Sequence, residues 1–200
     1  MLSAFIPLIL GTRPLLTDDP WPVEDGLFEV EFGQGLSGQR EGYIYWKYGF
    51  GNRFEIDLGF PWIIEEPREQ GEFEVSTKWP FFTSPLGSPL PDLALVAGWV
   101  PARGDYCLCG ILGKELGPTE LLANLFYEHD NPRVLAGAAC VYYPVERLGV
   151  AGEVFYEADP VLGGGARFLP WDFLLLDLEY HRAMDDGRTQ TLGLGFTVDF

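Results

Sequence analysis

Residues 53–60, Arg-Phe-Glu-Ile-Asp-Leu-Gly-Phe, alternate without a break between charged or small residues and large apolar ones. A repeat of two is the repeat of a β-pleat, in which successive side chains leave opposite faces, so this segment reads as a strand with one wet and one apolar face. The same alternation marks 27–32, 72–79, 174–180 and 189–200. Seven further stretches, 43–49, 92–100, 105–113, 121–128, 133–143, 148–157 and 163–169, are rich in aromatic and β-branched residues or Gly, and each is bounded by turn residues. Twelve strands result, an even number.

Turn chemistry joins them: Pro101-Ala-Arg-Gly104, Leu116-Gly-Pro118 and Pro170-Trp-Asp172 each suit a hairpin. With 25 Gly and 16 Pro in 200 residues, helices are disfavoured, and so many segments leave no room for crossover helices. Consecutive antiparallel pairing is the simplest topology, and twelve strands escape exposed edges by closing on themselves. The expected fold is therefore all-β, an antiparallel up-and-down barrel of about 12 strands. No uncharged apolar run approaches the roughly 20 residues of a membrane-spanning helix.

The two faces differ sharply. The polar face of the clearer strands carries Glu29, Glu31, Glu55, Asp57, Glu72, Glu74, Glu153, Glu157, Asp177, Glu179 and Asp199 against Lys47, Arg53 and Lys78; the opposite face, from Phe28, Val30 and Phe32 to Leu176, Leu178 and Tyr180, carries no charge. In a transmembrane barrel the apolar set meets lipid and the acids line a wet lumen; in a soluble or periplasmic barrel the apolar set encloses an apolar ligand and the acids face water. Aromatics near strand ends (Tyr48, Trp79, Trp99, Tyr127, Tyr142, Tyr143, Trp171) and a last strand ending on Phe200 favour the membrane barrel, since interfacial girdles are aromatic. The expected lumen wall is Glu29, Glu31, Lys47, Arg53, Glu55, Asp57, Glu72, Glu74, Lys78, Glu153, Asp177 and Glu179. Both termini of such a barrel lie on the periplasmic side, with 61–71 and 182–188 facing outward.

Leu2 to Leu10 is an apolar run about as long as a secretory h-region, so residues 1–12 read as a signal or leader segment. Residues 13–26 form an extended, Pro-bounded segment ahead of a barrel at 27–200. Asp18 and Asp19 within it either cap a turn or enter the barrel mouth as a plug, against Arg53 or Lys78.

Other chemistries find little support. The net charge of −17, with only three lysines, excludes a general grip on phosphate backbones and hence nucleic acid as a partner. Cys107, Cys109 and Cys140 are odd in number; the first two share one strand face, too close for an unstrained bridge, and read as small apolar wall residues. Gly33-Gln-Gly-Leu-Ser-Gly38 fits a dinucleotide-binding spacing but leads into another strand instead of a helix, so it reads as a hairpin loop. His129 and His181 have no neighbouring Ser and read as loop or rim residues. No catalytic residue, metal site or cofactor is expected.

The segment Arg13-Pro-Leu-Leu-Thr-Asp-Asp-Pro20 followed by Gly26-Leu-Phe-Glu-Val-Glu31 resembles the opening of the outer-membrane family named for the MetA pathway of phenol degradation. Tyr48-Gly-Phe-Gly-Asn-Arg-Phe-Glu-Ile-Asp-Leu58 with Pro61 resembles its second hairpin, and 91–105, 121–127 with Asn124, 146–153 and 192–197 continue the match. The resemblance implies a barrel in the bacterial outer membrane that passes or binds small solutes, aromatic or hydrophobic ones among them. Lipid and the outer-membrane assembly machinery, the latter through the strand ending at Phe200, are the other partners expected.

Overall fold

The computed structural model describes residues 17–36, 41–51, 53–63, 72–85, 87–129, 133–156, 160–184 and 190–200. Twelve strands follow in order: β1 (Phe28–Gly35), β2 (Glu41–Phe50), β3 (Phe54–Ile63), β4 (Glu74–Phe82), β5 (Asp92–Val100), β6 (Asp105–Leu116), β7 (Thr119–Glu128), β8 (Arg133–Val145), β9 (Leu148–Tyr156), β10 (Pro160–Trp171), β11 (Leu174–Ala183) and β12 (Gln190–Asp199). Each pairs antiparallel with its chain neighbours, and β1 pairs with β12 in register from Glu29↔Asp199 to Gly35↔Gly193, so the sheet is a closed barrel. Phe28 and Phe200 exchange backbone hydrogen bonds at the end of this seam (3.2 and 2.8 Å), which satisfies the terminal backbone groups that an open edge would leave bare.

Phe28 and Asp199 lie at one end, so the turns 51–53, 83–91, 117–118, 146–147 and 172–173 share it, and 101–104 lies at the other. Gly104 and Gly117 adopt positive φ (74° and 62°) in tight turns that other residues enter only with strain.

Side chains alternate between buried and exposed along the strands, and the apolar set is outside: Trp46, Leu125 and Val134 are more than half exposed. Among the described strand residues, Lys114 and Arg182 are the outward charges, and both stand near strand ends. Trp79, Tyr142 and Trp171 are exposed toward the end that holds Phe28 and Phe200, and Trp99, Tyr106 and Tyr127 toward the opposite end. Tyr143 departs from the expected girdle: it points inward, covers Gly149 and receives Arg167 Nη1 on its hydroxyl at 3.4 Å. Residue parity explains this, because Val141 beside it on β8 is buried while Tyr142 is exposed.

Segment ends differ modestly from the sequence expectation. Residues 33–35 of the glycine-spaced motif belong to β1, since all three pair with β12 and the first two also with β2, and 37–38 lie outside the described residues. The leader expected at 1–12, residues 13–16, Glu157 and the loop residues 64–71 and 185–189 also lie outside them.

Candidate functional site: a charged lumen holding the N-terminal segment

The interior has two unlike walls. Ala94 and Val96 of β5, Cys109 and Ile111 of β6, Phe126 of β7, Leu135 of β8 and Phe155 of β9 form one buried apolar cluster, and Leu122, Ala139 and Val141 form a second on β7 and β8. Opposite them, adjacent strands stack charged rows fixed by register. Glu29 and Lys47 lie side by side, Lys47 pairs with Asp57, Asp57 with Ser76, and Glu55 with Lys78. Lys47 bridges Glu29 (3.0 Å) and Glu31 (2.8 Å). Asp57 accepts from Ser76 Oγ at 2.7 Å, and Glu74 accepts from the Tyr45 hydroxyl at 3.2 Å. Arg167 of β10 meets Asp177 of β11 at 3.5 Å, and Glu179 lies over Gly193. Buried charge is tolerated where it is paired, and Lys47, Lys78 and Arg167 each stand against at least one carboxylate.

Two members of the expected wall stand elsewhere. Arg53 is exposed in the turn between β2 and β3, beyond the last pleat that points inward. Glu72 precedes β4 and pairs with Arg103 of the β5–β6 turn at the rim, where the strands have already parted. The acids of the barrel wall face inward, which reverses the arrangement in which they would cover the outside of a soluble barrel around an apolar ligand.

Residues 17–24 rise into this interior from the end where Phe28 and Phe200 lie. Gly26 N–H donates to Gly49 O (3.0 Å) at the mouth, and Val23 N–H to Glu55 Oε2 (2.7 Å). Trp21 Nε1 donates to Asp92 Oδ2 (3.2 Å) while its ring packs beside Leu122, Ala139 and Val141. Asp18 takes Lys78 Nζ at 3.2 Å, with Asp19 at 3.9 Å and Glu55 at 3.5 Å around the same ammonium. Asn124 Nδ2 donates to Asp18 O (3.1 Å), and the Thr17 N–H and hydroxyl both donate to Glu153 Oε2 (3.0 and 2.9 Å). Asp18 and Asp19 thus meet Lys78 and not Arg53, which lies outside the wall.

Three inward glycines give the segment its space. A Cβ at Gly49 would strike the carbonyls of Val23 and Glu24, one at Gly113 the ring of Pro20, and one at Gly137 the Thr17 hydroxyl at 2.9 Å. His181, read from sequence as a rim residue, points inward and places Nε2 2.9 Å from Glu153 Oε1, so it supports the carboxylate that holds Thr17. His129 is exposed and stacks on Tyr106 with ring centroids 4.3 Å apart. Cys107 and Cys109 are buried on the inner wall, and Cys140 is exposed on the outer one. Among the described residues no group of three or more His, Cys, Asp or Glu is placed to hold a metal ion.

Sequence reasoning missed the apolar inner wall and the glycine track. β5 reads Asp-Leu-Ala-Leu-Val-Ala-Gly-Trp-Val, apolar almost throughout, so no alternation of polarity marks which residues turn inward.

No protein-family model matches the chain, and no curated protein sequence matches it. Solved structures do. The KdgM porin superposes with a TM-score of 0.66 at 12% identity, covering 86% of this chain and 99% of its own. The COG4313 outer membrane channel from Pseudomonas putida F1 gives 0.63 at 11%, covering 95% and 100%, and the Acinetobacter baumannii outer membrane protein Omp33 gives 0.60 at 13%, covering 88% and 99%. KdgM has also been solved in complex with disordered oligogalacturonate. At these identities the likeness is one of fold: a single small barrel of the same architecture.

Proposed function

We propose that this chain is a bacterial outer-membrane channel of the family named for the MetA pathway of phenol degradation, with the barrel as its membrane span and the N-terminal segment as a plug. The observation that carries the reading is the pairing of an outer surface without charge between the strand ends with a charged interior that grips residues 17–24 of its own chain. An apolar belt with aromatic rims requires lipid, and a polar interior is costly unless it serves something that passes or binds there.

The conducted solutes are small molecules, aromatic or hydrophobic ones among them, because the apolar wall of β5 to β9 faces the charged wall across one lumen. Polyanions such as the oligogalacturonate held by KdgM suit this interior poorly, since carboxylates far outnumber Lys47, Lys78 and Arg167 on its wall. The strand ending at Phe200 is the element the outer-membrane assembly machinery would take.

The test is direct. The chain should fractionate with detergent-extractable outer membrane, run faster on gels unheated than boiled, and raise planar-bilayer conductance when residues before Trp21 are deleted. A detergent-free soluble monomer would overturn the membrane reading, and an unchanged conductance the plug.

A further inference from the structure

The Trp21 indole packs on the inner wall formed by β7 and β8. Leu122, Ala139 and Val141 form the buried apolar floor beneath it, Tyr143 and Ala151 pack against the same floor, and Asp92 supplies a single acceptor at the ring edge, 3.2 Å from Nε1. That acceptor is pre-positioned: the other oxygen, Asp92 Oδ1, takes the Ser84 N–H at 2.5 Å, and Lys114 Nζ staples the same connection through Ser84 Oγ (3.2 Å) and Leu90 O (2.8 Å). The backbone around Trp21 is held independently, by Asp18 on Lys78, by Asn124 on Asp18 O and by Val23 N–H on Glu55. The Trp21 side chain is thus one attachment of the segment among several, seated on an apolar floor with a fixed acceptor at its edge.

We infer that this apolar floor and its fixed carboxylate are a binding station for a planar aromatic solute bearing one N–H or O–H at its edge, and that Trp21 occupies it as an internal stand-in. The inference rests on the channel reading and names the solute class of that lumen. Two parts of the site select for it. The aliphatic floor accepts the ring by area, as a dry apolar pocket accepts benzene. The fixed carboxylate rewards a donor at the edge, and because that hydrogen bond has a charged partner it separates a ring with the donor from a ring without it. A solute that enters competes with Trp21, so arrival of solute weakens one attachment of the plug and favours its release; the shift is limited to the difference in affinity between the two occupants.

Indole and 1-methylindole are the probes, alike in shape and differing in the one donor. Equilibrium binding in detergent is measured with Trp21→Ala, whose plug keeps its other anchors. Indole should bind about tenfold more tightly than 1-methylindole, the factor a charge-assisted hydrogen bond supplies. In Trp21→Ala combined with Asp92→Asn the preference should shrink severalfold while 1-methylindole binding stays as it was. In planar bilayers the native chain should open more often with indole than with 1-methylindole, and Asp92→Asn should lose the difference. Equal binding of both probes to Trp21→Ala, or a preference that survives Asp92→Asn, overturns the station. Binding as expected with no indole effect on opening of the native chain overturns the competition with Trp21. The detergent measurement needs no conductance, so failure of the channel reading would appear separately, as no current in any variant.

Discussion

Lys78, from the fifth position of β4, places its ammonium 3.2 Å from the Asp18 carboxylate of the N-terminal segment, and both side chains are less than a tenth exposed. Asp19 and Glu55 complete a ring of three acids around this one cation. Removing one partner of a buried ion pair typically costs about 3–5 kcal/mol, because the remaining charge is stranded. Lys78→Met should therefore expel residues 17–24, leaving the twelve-strand barrel intact. Limited proteolysis in detergent should cut the N-terminal segment in the variant and spare it in the native chain. Adding Asp18→Asn and Glu55→Gln to Lys78→Met should partly restore protection, since the stranded charges are then gone.

A second prediction concerns the glycine track. Gly49→Val puts a branched side chain where the Val23 and Glu24 carbonyls lie, and no rotamer moves its Cβ away from them. The segment should undock, with bilayer conductance rising as in the deletion. Gly152→Ala on the outer face, where an added Cβ meets nothing within 4 Å, should leave conductance and protease protection unchanged.

The outer surface predicts a folding penalty that depends on depth. Leu125 is 58% exposed in the middle of β7. Leu125→Arg should destabilise the barrel in lipid vesicles by about 2–4 kcal/mol, and a like change near a strand end, Val145→Arg, by about 0–1 kcal/mol. Urea titration of vesicle-folded protein measures both, and equal small effects would mean that this face does not meet lipid.

Selectivity follows from the charged wall. With residues before Trp21 deleted, reversal potentials should show cation preference, which Asp57→Asn, Glu74→Gln and Glu179→Gln together should move toward zero. The preference should fade between 0.1 and 1 M salt, as the Debye length falls from about 10 Å to about 3 Å. Anion preference in the deleted chain would remove the acids from the solute path.

Orientation is testable on cells. Ala102 is exposed in the turn between β5 and β6, opposite the end that holds Phe28 and Phe200. A membrane-impermeant maleimide should label Ala102→Cys on intact cells and Asp172→Cys only after permeabilisation. Native Cys107 and Cys109 are buried and Cys140 lies on the apolar belt, so the background is low.

What the sequence determined by itself is the strand set and its closure, because a pleat of period two writes itself into residues such as 53–60 and 174–180, where one face is charged and the other is not. The same pattern marks Glu55, Asp57, Lys78, Glu153 and Asp177 as one facial set. Only the tertiary structure decided which face turns inward, since alternation is symmetric under exchange of inside and outside, and only it identified the apolar clusters on the inner wall of β5 to β9. It also decided where residues 17–24 go. Nothing local in Thr-Asp-Asp-Pro-Trp-Pro-Val-Glu distinguishes a surface turn from a segment held across a lumen. That choice rests on contacts 60 residues away at Lys78, 106 away at Asn124 and 136 away at Glu153, and on glycines whose missing side chains leave the room. Long-range pairing of this kind leaves no period in the chain, so it becomes visible only when the barrel has closed around it.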